Sequence, residues 1–147
     1  MSLRVLGTFL TWLQERRADV FVVATANDVS RLPPEFLRKG RFDETFFVDL
    51  PDTATRTEIL RIHLARRNQK PDALDLGLVT TATRGFSGAE IEQVVVAALY
   101  TAFNDGVALS TELLLREAAG TRPLSIMMAE KIQRLREWAK TRAVPAQ

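Results

Sequence analysis

Hydrophobic positions follow two periods along the chain, and the change from one to the other divides it. Val5, Leu6, Phe9, Leu10 and Leu13 recur at helical spacing, and the polar QERRAD that follows ends that stretch. Two continuous apolar runs come next, VFVVAT over residues 20–25 and TFFVDL over residues 45–50. Rich in β-branched and aromatic side chains, they suit strands buried on both faces, as parallel sheets require. Between them Pro33 and Pro34 can open a short helix, because proline is tolerated in the first turn, and Gly40 can close it in a left-handed conformation.

From Pro51 onward the pattern is helical throughout. Asp52 or Thr55 can cap the first of these helices, Thr55 with Glu58 fitting a capping box, and Ile59, Leu60, Ile62 and Leu64 give it apolar spacings. A shorter helix is predicted over 74–82. Ser87 and Glu90 form a second capping box that opens the clearest helix, with Ile91, Val94, Val95, Ala98, Leu99 and Ala102 on one face and residues 104–106 ending it. Residues 110–118 read as a weaker helix. Residues 125–142 read as a final one, with Met128, Ile132, Leu135 and Ala139 in a stripe and Trp138 beside it. The predicted organisation is an α/β part over 1–51 and a helical bundle over 52–147, predominantly helical overall.

Composition narrows the chemistry. With 147 residues, 46% of them hydrophobic, the chain can bury a real core. Lys plus Arg number 20 against 18 Asp plus Glu, a formal charge of +2, which argues against a nucleic-acid-binding stripe. Zero cysteines exclude a disulfide framework and thiolate metal ligation, and a single histidine argues against a histidine-based metal site. The amino-terminal apolar run has one preceding Arg but helical periodicity and no small-residue cleavage site, so it reads as an amphipathic helix rather than a signal peptide. No apolar run reaches the roughly 20 residues that span a bilayer.

The polar residues at the junctions of the α/β part carry a motif. Asn27 follows the first apolar run directly, and Arg38, Arg41 and Asp43 follow it in GRFDE context, the two arginines straddling Gly40. This resembles the second region of homology of AAA ATPases, classical branch, in which a Thr-Asn or Ser-Asn pair precedes two arginines and an acidic residue at fixed distances. PDTATRTEILRIHL and GFSGAEIEQVV resemble the segment after the last core strand and the helical lid of the same family. Three ordered signals over residues 20–103 are more specific than one. The tail RPLSIMMAEKIQRLREWAKTRAVPA resembles the AAA proteins of cyanobacteria and algal plastids.

The resemblance implies a fold and roles. The fold would be the end of a P-loop NTPase parallel sheet followed by an all-α lid. Asn27 would be the first sensor, aiming its amide at the γ-phosphate or the attacking water; read alone, it is equally an Asn satisfying a turn. Arg38 and Arg41 would be arginine fingers reaching ATP held by a neighbouring subunit of a homo-oligomeric ring. Read alone, Arg38 caps the short helix and Arg41 pairs with Asp43 or Glu44 at the surface. His63, Gly88 and Ala89 would border the nucleotide base, the alternative for His63 being an ordinary half-buried helix residue. Ala26 stands where the family has Thr or Ser, and Pro33-Pro34-Glu35 replaces its Asp-x-Ala, which puts the orientation of Asn27 and the contacts of the short helix in question.

Absent motifs qualify the expectation. The sequence has no G-x-x-x-x-G-K-[ST] loop and no apolar strand ending in Asp-Glu to hold Mg²⁺. The resemblance therefore implies the carboxyl-terminal part of a AAA module, with ATP and Mg²⁺ used by the full-length protein and not hydrolysed by this chain alone. It also implies that the phosphate-loop strand lies between the two strands present here, so residues 20–25 and 45–50 are expected to pair anomalously, to pair with another chain, or to sit partly disordered. A cytoplasmic location follows, or the plastid stroma under the narrower resemblance. Two other classes fit: a non-catalytic truncated module docking on a partner ATPase, and a helical protein-binding domain with a chance motif.

Overall fold

The computed structural model describes residues 3–15, 20–29, 32–37 and 41–146. They form two units, Val48–Arg136 and Met1–Phe47 with Glu137–Gln147.

In the larger unit the apolar face expected after Ser87 becomes the centre of the core. Helix α4 (Gly88–Asn104) buries Ile91, Val94, Val95, Ala98 and Ala102. Helices α2 (Thr53–Ala65) and α5 (Thr111–Gly120) pack against it, and α3 (Leu76–Ala82) packs against both of those. Leu60 and Leu64 from α2, Leu76 and Val79 from α3, Phe86 from the loop before α4, and Leu113, Leu114 and Ala118 from α5 complete the cluster. Burying each such side chain contributes about 1.5–3 kcal/mol. Polar groups inside the shell are satisfied: the buried Arg56 guanidinium donates from Nε to the Thr80 carbonyl (3.3 Å), from Nη1 to the Pro51 carbonyl (3.0 Å) and from Nη2 to the Thr53 hydroxyl (3.4 Å).

The caps fix where these helices start. Asp52, not Thr55, caps α2, its carboxylate accepting from Thr55 N–H at 2.8 Å. Thr55 lies inside the first turn, where its amide is one of the groups to be capped. Asp75 caps α3, so that helix starts at Leu76 rather than at 74, and Lys70 to Leu74 carry a 3₁₀ turn (Pro71–Ala73) instead. Ser110 caps α5. Ser87 and Glu90 make the reciprocal capping box expected of them.

The carboxyl-terminal helix is broken where one was expected. Helix α6 (Leu124–Met127) and helix α7 (Ala129–Ala139) are separated at Met128, whose φ of −121° and ψ of 29° leave the helical region. Different anchors hold the two pieces. Leu124 N–H donates to the Glu90 carboxylate at 2.7 Å, beside α4, whereas Arg136 on α7 makes a two-pronged pair with Asp49, Nε to Oδ2 at 2.7 Å and Nη2 to Oδ1 at 3.0 Å. A straight helix has one axis, and the break lets each anchor be reached.

In the smaller unit α1 (Leu3–Glu15) buries Leu13, and the Phe9 ring stacks on Trp12 and on Phe36, centroids 5.8 and 6.2 Å apart. Phe36 sits in a 3₁₀ turn (Pro34–Leu37) opened by the Pro33 carbonyl, which accepts from Phe36 N–H at 2.9 Å. The only strands among the described residues are β1 (Phe46–Phe47) and β2 (Val144–Pro145), paired in parallel with Phe46 opposite Val144. The class is therefore predominantly helical with a short parallel sheet, as the sequence indicates. Residues 20–25 differ from expectation, since they carry no strand, with Phe21 93% and Val23 75% exposed. A strand apolar on both sides needs cover on both faces, which this run lacks here. The second run pairs, but with the carboxyl terminus, one of the anomalous pairings anticipated.

One glycine in the larger unit is tightly specified. Gly85 has φ +81°, and a Cβ there would lie 2.6 Å from the Ser125 Oγ. Gly85→Ala is expected to lower unfolding free energy by about 1–3 kcal/mol, read from the urea midpoint. Adding Ser125→Ala, which removes the clashing oxygen, should restore part of that loss and leave the part owed to backbone conformation.

Candidate functional site

The residues singled out from sequence fall on both units. In the smaller one, Asn27 is exposed, in a bend directly after the 20–26 segment. Arg41 is half-buried, and its Nη1 donates to the Glu35 main-chain carbonyl at 2.7 Å. Among the described residues no carboxylate pairs with it, so the expected alternative partners Asp43 and Glu44 do not hold it. No hydrogen bond joins Asn27 to Arg41 among these residues. Arg38 and Gly40 lie outside the described residues.

In the larger unit the predicted residues come together on two packed helices. Gly88 opens α4 beside Ile59 of α2, where an added methyl group would meet Ile59 Cδ1 at an ordinary 3.6 Å. One turn further along each helix stand Glu92 and His63, since residues four apart share a helix face. Their side chains meet, His63 Nδ1 lying 3.4 Å from Glu92 Oε1. Ala89 is exposed in the first turn of α4.

Arg67 completes this group, and nothing in the sequence pointed to it. Its Nη2 donates to Glu92 Oε1 at 2.8 Å, while Nη1 reaches His63 Nδ1 at 3.3 Å and donates to the His63 carbonyl at 3.1 Å. The Arg67 hydrogen bond above all, with nearby arginine charge, lowers the Glu92 carboxyl below its ordinary range against slight desolvation. Four residues separate Arg67 from His63 but 25 separate it from Glu92, a long-range pairing that periodicity cannot announce.

Glu90 joins the start of α4 to the rest of the unit. Its Oε2 accepts from Ser87 N–H and the Ser87 hydroxyl, both at 2.7 Å, and its Oε1 accepts from Leu124 N–H. Burial raises its pKa, but these three donors together outweigh burial and the net shift is downward. Asp49 behaves alike: burial raises it, and Arg136 with the Leu50 N–H lowers it further. A cleft of about 720 Å³ runs nearby, lined in part by Arg84, Gly85, Ser125, Gln133 and Arg136. No described helix is long and apolar enough to cross a membrane.

The chain has relatives among known proteins. The profile of the family described as ATPase family associated with various cellular activities (AAA) matches residues 1–50. Over 137 residues, 92% of this chain, it is 43% identical to the "Uncharacterized AAA domain-containing protein ycf46" of Guillardia theta. It is 46% identical over 142 residues, 94% of the chain, to the protein of that name in Pyropia yezoensis. This chain belongs to the AAA family. Over 88 residues, 60% of its length, the AAA chain is also 43% identical to the "Proteasome-activating nucleotidase" of Saccharolobus solfataricus, of which it covers 22%. It spans 27% and 28% of the two ycf46 proteins, a little over a quarter of their length.

Acid should unfold this AAA chain through the carboxylates just described. Glu90 and Asp49 have folded-state values below their unfolded ones, so each contributes stability that is fully present above the unfolded carboxylate range. That contribution disappears as pH falls through the lowered values. Urea midpoints measured down the pH scale should fall in this window, and Glu90→Gln should be less stable near neutrality with a shallower acid dependence.

Proposed function

We propose that this chain supplies the sensor, arginine fingers and lid of a AAA ATPase whose phosphate-binding elements lie in the rest of the full-length protein. The observation that carries the reading is the set Asn27, Arg38 and Arg41 at the family's spacing inside the segment that the AAA profile matches. Phosphoryl transfer asks a protein to position a water and to neutralise charge spreading over the γ-phosphate oxygens. Asn27 would orient the water or the γ-phosphate, and its exposed position past the end of an apolar run suits that task. Arg38 and Arg41 would supply positive charge to ATP held by an adjacent subunit, which requires a head-to-tail ring contact. Arg41 is tethered to a neutral carbonyl, which leaves its charge uncompensated by any described carboxylate.

The α2–α4 pair would form the side of the site nearest the base. His63 stands on α2 and Gly88 and Ala89 on α4, at the first turn of which N–H groups and the absence of a side chain on Gly88 permit close approach. Helix packing does not itself demand a glycine there, since a Cβ would make ordinary contact. This chain contains no sequence of phosphate-loop type, so its residues fit the base and the transferred phosphoryl group but not the α- and β-phosphates or Mg²⁺. In the full-length protein ATP hydrolysis, with Mg²⁺ neutralising phosphate charge, would supply the energy for a remodelling step whose substrate is a macromolecule. Assembly as a homo-oligomeric ring and a cytoplasmic or plastid-stromal location belong to the same reading.

The test uses the full-length protein. Arg38→Ala with Arg41→Ala should reduce ATP turnover by about 10³–10⁵ while leaving nucleotide affinity in place. Mixing these subunits with others inactivated in their phosphate loop should restore part of the turnover, because intact fingers then face intact loops. Full turnover in the double variant, or tight Mg-ATP binding by the 147-residue chain alone, would overturn the division of labour.

A further inference from the structure

We propose that Arg67, braced by Glu92, is a positioning residue that holds the neutral imidazole of His63 with its proton on Nε2, making that nitrogen a fixed hydrogen-bond donor for the adenine nucleotide. The nucleotide half of this inference rests on the function proposed above, and the tautomer half stands on the chain's own contacts.

The argument begins with what a guanidinium can do. Arginine has five donors, no acceptor and a charge that persists at every ordinary pH. Its Nη1 lies 3.3 Å from His63 Nδ1, and a hydrogen bond between them requires Nδ1 to accept, which the Nε2-protonated tautomer provides. A neutral imidazole with Nδ1 unprotonated is protonated at Nε2. The contact does not depend on a freely moving side chain, because the same Nη1 donates to the His63 carbonyl at 3.1 Å and Nη2 donates to Glu92 at 2.8 Å. Three contacts therefore fix the plane of the guanidinium.

Glu92 also faces Nδ1, at 3.4 Å, and would accept a proton placed there. The Glu92 contact is the longer of the two at Nδ1, and Oε1 takes its short hydrogen bond from Arg67 Nη2 at 2.8 Å. The charged groups around the imidazole are thus Arg67 and Glu92, with Arg66 acting on Glu92. His63 itself is only 14% exposed in its side chain, so its ring is held among these partners rather than turning in water. A donor of fixed tautomer suits a ligand that presents acceptors, such as the ring nitrogens of adenine or the ribose oxygens. A ligand presenting only donors there would be rejected, because it would leave a donor unpaired.

His63 is the one histidine in the sequence, so a sample labelled with ¹⁵N-histidine reports on it alone. In the long-range ¹H–¹⁵N spectrum of the 147-residue chain, recorded where the imidazole is neutral, His63 should show a single form with Nδ1 unprotonated. Arg67→Ala should convert this to an averaged mixture of both tautomers, and Arg67→Lys, which keeps a donor, should restore part of the wild-type pattern. A wild-type spectrum with Nδ1 protonated, or already averaged, overturns the tautomer assignment even if a variant fails to fold. For the nucleotide, full-length Arg67→Ala should weaken ATP affinity up to about tenfold with kcat little changed, and Arg67→Ala with His63→Ala should be no weaker than His63→Ala alone. A single Nε2–H form together with unchanged affinity in His63→Ala would sink the nucleotide contact and leave the tautomer lock standing. Additive losses in the double variant would show that Arg67 acts independently of His63, against the proposal.

Discussion

Everything in the larger unit depends on covering the apolar face of α4. Ile91, Val94, Val95, Ala98 and Ala102 lie on one side of a single helix, which cannot bury them alone, and α2 and α5 lie against it because they bring Leu60, Leu64, Leu113, Leu114 and Ala118. At about 1.5–3 kcal/mol per fully buried aliphatic side chain, this cluster outweighs any one cap, which contributes about 1 kcal/mol. The core therefore decides which helices are neighbours, and the caps decide their register. Register matters for chemistry here: with α4 starting at Gly88, Glu92 lands one turn below it, opposite His63 rather than beside Ile59. The buried face fixes the rotation of α4, and Glu92 stands opposite His63 as a result.

Polar groups in this unit do double duty. Glu90 closes the capping box of α4 and also accepts from the first amide of α6, so the same carboxylate that starts one helix docks another. Gly85 brings the backbone to within a methyl group's reach of Ser125 on α6, which places the loop before α4 against the same short helix. Arg56 ties the beginning of α2 to the Thr80 carbonyl of α3 and to the Pro51 carbonyl. A buried guanidinium is tolerable because all three of its nitrogens find acceptors.

Local signals explain what was legible. The Ser87–Glu90 box and the face of α4 are properties of short windows, and both appear in the structure. The start of α2 was ambiguous between Asp52 and Thr55 because both residue types cap, and only the three-dimensional hydrogen bond chooses. The break at Met128 was hidden, since Met128, Ile132, Leu135 and Ala139 keep helical spacing across it while the anchors that impose it, Glu90 and Asp49, lie 34 and 87 residues away from their partners. Residues 20–25 have the composition of a central strand, yet composition cannot supply the neighbours that a strand needs. Asn27, Arg38, Arg41, His63, Gly88 and Ala89 were singled out through the family resemblance, whereas Arg67 and Glu92 were not, because their contact arises only where two helices meet.

The arginines of this chain divide by what holds them, and that division bears on which of them can deliver charge. Arg136 is locked to Asp49 by two hydrogen bonds, Arg67 to Glu92, and Arg61 to Asp72, so the field of each is largely cancelled by its own partner. An arginine that must act on a triphosphate needs the opposite: orientation without neutralisation. A main-chain carbonyl supplies this, because it accepts a hydrogen bond and fixes the guanidinium without cancelling its charge, and Arg41 Nη1 donates to such a carbonyl, that of Glu35. At an effective dielectric of 20, one such charge 4 Å from a phosphate oxygen contributes about 4 kcal/mol. At about 1.4 kcal/mol per decade, that is close to the lower end of the 10³–10⁵ attributed to arginine fingers. A carboxylate at the same distance from the guanidinium would cancel most of it.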